Sequence, residues 1–112
     1  MIDLSTNKRI IIKPGYTDMR LGAHGLSVLI GKVENDCAYV FCGSNRKTIK
    51  IIEFNGTSIW LHTKRSIFGK FVWPMQGNNQ DIDFDTVKLL INSVDELSKI
   101  EHNGVKPVYI TN

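Results

Sequence analysis

The centre of the chain reads TIKIIEFNGTSIWLHT over residues 48–63. Apolar residues alternate on both sides of Asn55-Gly56, a pair typical of tight turns because both central positions of a type I′ turn take positive φ. The stretch therefore predicts a β-hairpin with antiparallel strands at 48–54 and 57–63. In such a hairpin Thr48 and Thr63 lie at the same end of the sheet.

Side-chain alternation along the two strands predicts which residues share a face. With Phe54 opposite Thr57 across a two-residue turn, one face carries Lys50, Ile52, Phe54, Thr57, Ile59 and Leu61. The other face carries Ile49, Ile51, Glu53, Ser58, Trp60 and His62. We expect the first face to pack on the core. The second is mixed, so we expect it to be half covered or to bind a partner.

Basic residues flank the predicted hairpin. Arg46 and Lys47 precede it, Lys64 and Arg65 follow it, and Lys70 comes shortly afterwards. Because the hairpin returns to its starting end, we expect these cations to gather in one patch. Such a patch attracts a phosphate backbone and releases its counterions. The alternative is that two polar loops simply contain lysine and arginine.

Glycines and aromatic residues accompany the basic segments. Gly43 and Gly69 would let backbone N–H groups approach a phosphate as well. Trp60, Phe68 and Trp73 offer stacking surfaces for bases, although aromatic residues of this kind more often belong to a core. The sequence leaves both roles open.

The rest of the chain predicts two helices and further strands. The expected strands are residues 8–13, 38–42, 48–54, 57–63 and a short one at 70–73. Thr17 is expected to cap a first helix with Asp18 in its first turn and a stripe of Met19, Gly22, Ala23, Leu26, Leu29, Ile30 and Val33, where Gly22 permits close packing. Asp83 is expected to cap a last helix with a buried stripe of Val87, Leu90, Ile91, Val94 and Leu97.

This order of elements predicts an α+β fold, with a meandering antiparallel sheet of four to five strands and two helices packed on it. A length of 112 residues fits one domain, which we place at residues 1–98. Residues 99–112 are expected to form a tail, either loose or adding an edge strand at 108–110.

Charge is uneven along the chain. Residues 1–80 carry eleven Lys/Arg and five Asp/Glu, whereas residues 81–112 carry three Lys/Arg and six Asp/Glu. A basic body with an acidic end suits nucleic-acid contact by the body, although a net charge of +3 is modest. Apolar runs are too short to cross a bilayer, and Met1-Ile2-Asp3-Leu4 lacks the start of a signal peptide. We therefore expect a cytoplasmic protein without membrane contact.

Residues able to bind metals or perform catalysis form no recognisable motif. The two cysteines, Cys37 and Cys42, are expected to be reduced and partly buried. His24, His62 and His102 show no ligand spacing. No P-loop, dinucleotide-binding fingerprint or nucleophile elbow is present. We therefore expect no metal, no cofactor and no small-molecule substrate.

The order of several short motifs resembles a known family. The matching pieces are Thr17-Asp18-Met19-Arg20 with Gly22 and Gly25-Leu26, Val40-Phe41 with Gly43, Ile49-Lys50, Asn55-Gly56, Lys64-Arg65 and Gly69-Lys70-Phe71-Val72-Trp73-Pro74. Over about residues 8–95 the chain resembles the small second-reading-frame accessory protein (TnpB type) of bacterial insertion sequences of the sixty-six class. It does not resemble the RNA-guided nuclease of the same name. Leu21, Cys42, Ile67 and Asn55 depart from the residues that the family favours there.

The resemblance implies an accessory role in DNA transposition beside a separate transposase. We expect a non-catalytic protein that binds transposon-end DNA, the transposase or both. Phosphate contacts are expected from Arg46, Lys47, Lys64, Arg65 and Lys70, with Arg20 either joining them or pairing with Asp18. The alternative is a pure protein-interaction module that uses the mixed sheet face with Trp60 and His62, or the helix side with His24. A small metal-dependent nuclease is a third and weaker alternative.

Overall fold

The computed structural model describes residues 9–83, 85–86 and 88–90. The described strands form a mixed five-stranded sheet with a helix packed on it. In chain order the elements are β1 (Arg9–Tyr16), α1 (Ala23–Ile30), β2 (Cys37–Cys42), β3 (Thr48–Asn55), β4 (Ser58–Arg65) and β5 (Gln80–Ile82). Residues 85–86 and 88–90 are also helical. The α+β class predicted from the sequence is confirmed.

The sheet is not the antiparallel meander that the sequence suggested. Its strand order is β4-β3-β2-β1-β5, and β1 and β2 run parallel, with Ile10 opposite Ala38 and Ile12 opposite Val40. The other neighbouring pairs are antiparallel. Helix α1 carries the chain back to the starting end of β1, so β2 must run in the same direction.

The short strand predicted at residues 70–73 is absent. Phe71 and Trp73 are buried there while Val72 is 53% exposed, so the chain is extended. However, the segment crosses a sheet face instead of following an edge, and its backbone bonds include Phe71 N to Arg46 O (2.7 Å) and Gly15 N to Pro74 O (2.9 Å). The free edge of β1 pairs with β5, a strand that the sequence did not predict. The possible edge strand at 108–110 lies outside the described residues.

The first helix begins later than predicted, at Ala23 with Gly22 as its N-cap. The backbone N–H of Thr17 instead donates to Cys42 O at 2.8 Å, which extends the contact between β1 and β2. Asp18 accepts the N–H of Arg20 at 2.9 Å and closes a turn before the helix. Nothing lies within 4 Å of a Cβ placed at Gly22, so the predicted close packing there is wrong.

Apolar side chains pack on both faces of the sheet. On one side, here called the helix face, Leu26 of α1 covers Cys37, Tyr39, Phe41 and Ile52. On the other side, here called the segment face, Phe71 and Trp73 cover Ile10, Ile12, Ala38, Val40, Cys42, Ile49 and Ile51. The predicted sharing of faces in the hairpin is confirmed, but the mixed face is as much a core face as the other.

The hairpin turn lies one residue further along than predicted. Asn55 pairs with Ser58, so Gly56 and Thr57 connect the strands, and Phe54 faces Ile59 instead of Thr57. The N–H of Gly56, which has a φ of 74°, donates to the Asn35 side chain. Because the register differs by two residues from the prediction, every side chain that lies within the two strands keeps its predicted face, while Thr57 belongs to the turn.

The last helix starts after Asp83, as the sequence predicted. Asp83 Oδ1 accepts the N–H of Thr86 at 2.7 Å, as a helix cap does. Leu90 packs against the core of the segment face. The remaining stripe positions Val87, Ile91, Val94 and Leu97, the boundary at 98 and the tail lie outside the described residues.

Candidate nucleic-acid interface

Two basic segments meet at one end of the sheet. Thr48 pairs with Arg65 where β3 begins and β4 ends, and Lys64 stands opposite Ile49. Ser66 N donates to Lys47 O at 2.8 Å, and Phe71 N donates to Arg46 O at 2.7 Å. The two backbone segments that carry the cations therefore adjoin, as predicted. We call this the basic end, and its cations are Arg46, Lys47, Lys64, Arg65 and Lys70.

A compact loop positions two of these cations. Gly43 N donates to Thr48 O and Arg46 N donates to Gly43 O, both at 3.0 Å. Asn45 Oδ1 accepts the N–H of Lys47 at 2.9 Å. Arg46 takes a left-handed φ of 57°, which is uncommon for a residue with a side chain. The N–H of Gly43 is bonded within the loop, so the phosphate contact expected from it is not supported.

The cations do not share one flat surface. Neighbouring residues of a strand point to opposite faces, so Lys64 lies on the segment face with Ile49, and Arg65 lies on the helix face with Thr48. Lys47, Arg65 and Lys70 are exposed, while Arg46 and Lys64 are half-buried. The basic end therefore wraps around the rim of the sheet, which suits a backbone with phosphates on more than one side.

Arg20 pairs with Asp18, one of the two roles that the sequence left open. Its Nη2 lies 2.8 Å from Asp18 Oδ2, and its Nε lies 3.0 Å from Oδ1. The side-chain hydrogen bond from Arg20 lowers the pKa of Asp18 to about 2, and the same bond raises the pKa of Arg20. The Arg20 side chain remains 91% exposed, but its charge is matched by a neighbouring carboxylate.

A cleft of about 360 Å³ lies between this turn and the loop of the basic end. It is lined by Tyr16, Thr17, Asp18, Met19, Gly43, Ser44, Asn45 and Thr48. Thr17 is 6% exposed, and its hydroxyl oxygen has no hydrogen-bond partner among the described residues. The sequence drew attention to the Thr17-Asp18-Met19-Arg20 motif and to Gly43, but nothing in it indicated that the two are in contact.

The two alternative surfaces considered for protein binding lie on opposite faces of the sheet. Trp60 and His62 lie on the segment face of β4, with ring centroids 6.2 Å apart and planes inclined by 15°. His62 Nε2 lies 2.7 Å from Glu53 Oε2. His24 belongs to α1, which packs on the helix face, so the sheet separates it from the other two.

The three aromatic residues considered for base stacking differ in exposure. Trp60 is 59% exposed and Phe68 is 37% exposed. Trp73 is 5% exposed, and its indole Nε1 donates to Lys13 O at 3.1 Å. Trp73 therefore belongs to the core of the segment face, while Trp60 has a ring that a ligand can reach.

Other candidate chemistry is sparse in the described residues. Among them no three His, Cys, Asp or Glu side chains are placed to share a metal ion. Cys37 and Cys42 are thiols that form no disulfide, as predicted, but they are fully rather than partly buried. Burial raises the pKa of Cys42 to about 11. None of the helical stretches in this part of the chain has both the length and the apolar character needed to span a membrane.

Comparison with known proteins places the chain in a family. Residues 8–100 match the model of the family described as IS66 Orf2 like protein. A relative named "Uncharacterized protein y4hO", from Sinorhizobium fredii (strain NBRC 101917 / NGR234), is 34% identical over 79 residues, which cover 66% of this chain and 69% of that protein. No solved structure matches the chain. The chain belongs to the IS66 Orf2-like family.

Proposed function

We propose that this protein is a non-catalytic accessory factor of DNA transposition that binds element DNA through the basic end. The observation that carries the proposal is the meeting of the two basic segments, held together by the Thr48–Arg65 pairing and the Ser66 N to Lys47 O bond of 2.8 Å. The family supplies the biological setting, which is an accessory role in transposition. Such a protein works in the cytoplasm, where the element DNA lies.

The arrangement favours binding over bond cleavage. The groups that the fold gathers at this end are lysines and arginines, which neutralise phosphates and release counterions. Arg46 and Lys47 stand on a loop held by three hydrogen bonds, and Lys64 and Arg65 stand on a paired strand, so the backbone that carries them needs little reordering on binding. The proposal therefore assigns phosphate contacts to these cations, a minor one to the Asp18-paired Arg20, and no catalytic residue.

The experiment is a salt series of binding to duplex DNA from the end of the element. Each lost phosphate contact reduces the slope of log affinity against log salt by about 0.9. We expect Arg65→Ala to weaken binding and reduce the slope by about this amount, and Lys64→Ala with Arg65→Ala to reduce it by about 1.8. The matched control is Lys32→Ala, which removes an exposed cation beyond α1, at the opposite end of the sheet.

Two outcomes would contradict the proposal. One is an unchanged slope for the double variant. The other is an equal loss for Lys32→Ala, which would mean that net charge alone drives binding.

A second candidate function is a pure protein-interaction module that binds the transposase. The observation in its favour is a set of exposed apolar side chains on α1 and β4, two elements that lie next to each other on the helix face. Its members are Val28 (63% exposed), Leu29 (46%), Ile59 (37%) and Leu61 (37%). Exposed apolar patches mark partner sites. Capture of the transposase in high salt with nuclease present would support this function, and loss of capture under those conditions would count against it.

A further inference from the structure

Three side chains of β4 form a row on the segment face. Trp60, His62 and Lys64 alternate along the strand and stand opposite Glu53, Ile51 and Ile49 of β3. The Trp60 and His62 rings are nearly parallel, with centroids 6.2 Å apart. Lys64 belongs to the basic end, so the row leads from an exposed aromatic pair directly into the cations.

The aromatic pair is held in place but left open. His62 Nε2 lies 2.7 Å from Glu53 Oε2, and both side chains are largely buried, which limits rotation of the imidazole ring. Trp60 packs against that ring, yet 59% of its surface is exposed within the described part of the chain. An exposed ring that rests on a restrained neighbour suits a stacking ligand, because less side-chain entropy is lost on binding than for a ring without such a contact.

The spacing of the row distinguishes between duplex and unpaired DNA. Alternate residues of a strand are about 7 Å apart. Bases along one strand of a duplex are spaced by about 3.4 Å and expose only their edges in the grooves. An unpaired strand can extend to the larger spacing and offers the faces of its bases to aromatic rings. The row therefore fits single-stranded DNA.

The position of the cations also favours single-stranded DNA. A strand with a base stacked on Trp60 carries its phosphates onward past His62 and Lys64 to the basic end, where the backbones of Arg65 and Lys47 adjoin. A positively charged track beside aromatic rings is the common design of single-strand binding surfaces. A purely apolar protein partner would gain no favourable contact from the cations at the end of the row.

We propose that the Trp60–His62 pair is a stacking site for unpaired nucleotides and that this protein binds single-stranded DNA along β4 towards the basic end. The inference rests on the proposed DNA-binding function and names the form of DNA that the site takes.

The test uses the two tryptophans of the chain as exposed probe and buried reference. Oligothymidylate and a duplex of matched length are titrated while tryptophan fluorescence is followed. We expect oligothymidylate to quench the wild-type protein and to leave Trp60→Phe, which retains Trp73, unquenched. Trp60→Ala is expected to weaken oligothymidylate binding by about 5- to 150-fold, the range of one lost base stack, with little change in duplex binding.

The control variant is Ile59→Ala on the same strand, since Ile59 is also partly exposed but lies on the helix face. It should leave oligothymidylate affinity unchanged. Far-ultraviolet circular dichroism and thermal unfolding of each variant separate a folding defect from a binding defect, and Trp60→Phe should bind oligothymidylate more tightly than Trp60→Ala.

The outcomes separate the two proposals. Duplex binding with an intact salt slope but no effect of Trp60→Ala on oligothymidylate overturns the stacking site and leaves the proposed function standing. The stacking site is also overturned if Trp60→Ala weakens binding to oligothymidylate and to the duplex equally. It is overturned as well if Trp60→Ala loses transposase capture while it binds oligothymidylate normally. Absence of all DNA binding overturns both.

Discussion

The Cγ atom of Met19 lies only 2.6 Å from the point that a Cβ atom at Gly43 would occupy. Two carbon atoms that are not bonded cannot approach this closely, so Met19 occupies this position because residue 43 has no side chain. The contact joins the turn after β1 to the loop before β3. It therefore links the Asp18–Arg20 pair to the loop that carries Arg46 and Lys47.

Gly43→Ala should destabilise the protein by overpacking. The crowded atom is in the middle of the Met19 side chain rather than at its flexible end, so relief requires the turn or the loop to shift. We expect a loss of about 1–3 kcal/mol in the free energy of unfolding, measured with urea. In a Met19→Ala background the same substitution should cost much less, because the two sites are coupled. An equal cost in both backgrounds would show that the contact is not the cause.

Thr17→Val should stabilise the protein. The Thr17 hydroxyl is buried without a partner among the described residues, and a buried unpaired polar group carries its full desolvation cost. Replacing the hydroxyl by a methyl group of similar shape is expected to raise the free energy of unfolding by about 1 kcal/mol. Thr17→Ala is the matched control and should lower stability, since it also removes packing. A marked loss of stability in Thr17→Val would mean that the hydroxyl is bonded.

Asp18 should make stability sensitive to acid. Its pKa is lowered from 3.8 to about 2 by the hydrogen bonds of Arg20, so the ion pair stabilises the folded state above about pH 4 and is lost as the pH falls towards 2. Thermal unfolding from pH 5 to pH 2 should therefore show the wild type converging with Asp18→Asn. Asparagine can still accept the Arg20 N–H, so the comparison measures the effect of the Asp18 charge alone. Parallel profiles for the two proteins would argue against the pair.

The cysteines should resist modification in the folded protein. Burial raises the pKa of Cys42 from 9.0 to about 11, which lowers its thiolate fraction about 100-fold near pH 8, and Cys37 is buried as well. An aromatic disulfide reagent should react very slowly with the native protein and rapidly with two thiols per chain in denaturant. Rapid reaction of one thiol without denaturant would show that β2 opens locally.

Several elements could be predicted from local signals. Asp83 caps a helix start, and the alternation in residues 48–63 assigned the side chains within the two strands to the correct faces. The hairpin register was missed because the side chain of Asn35 accepts the N–H of Gly56, a contact between residues far apart in sequence. The start of α1 was missed for a similar reason, since the Thr17 N–H bonds to Cys42 O in the next strand.

The sequence by itself determined that the basic segments meet, because an antiparallel hairpin returns to its starting end in any register. Only the tertiary structure decided that β1 and β2 run parallel, that Trp73 is buried while Trp60 is exposed, and that Arg20 pairs with Asp18. The strand direction and the different burial of the two tryptophans depend on which distant segments cover each face and edge of the sheet. The Asp18–Arg20 pair depends on the local turn that joins two near neighbours. The alternation of residues along a strand contains neither kind of information.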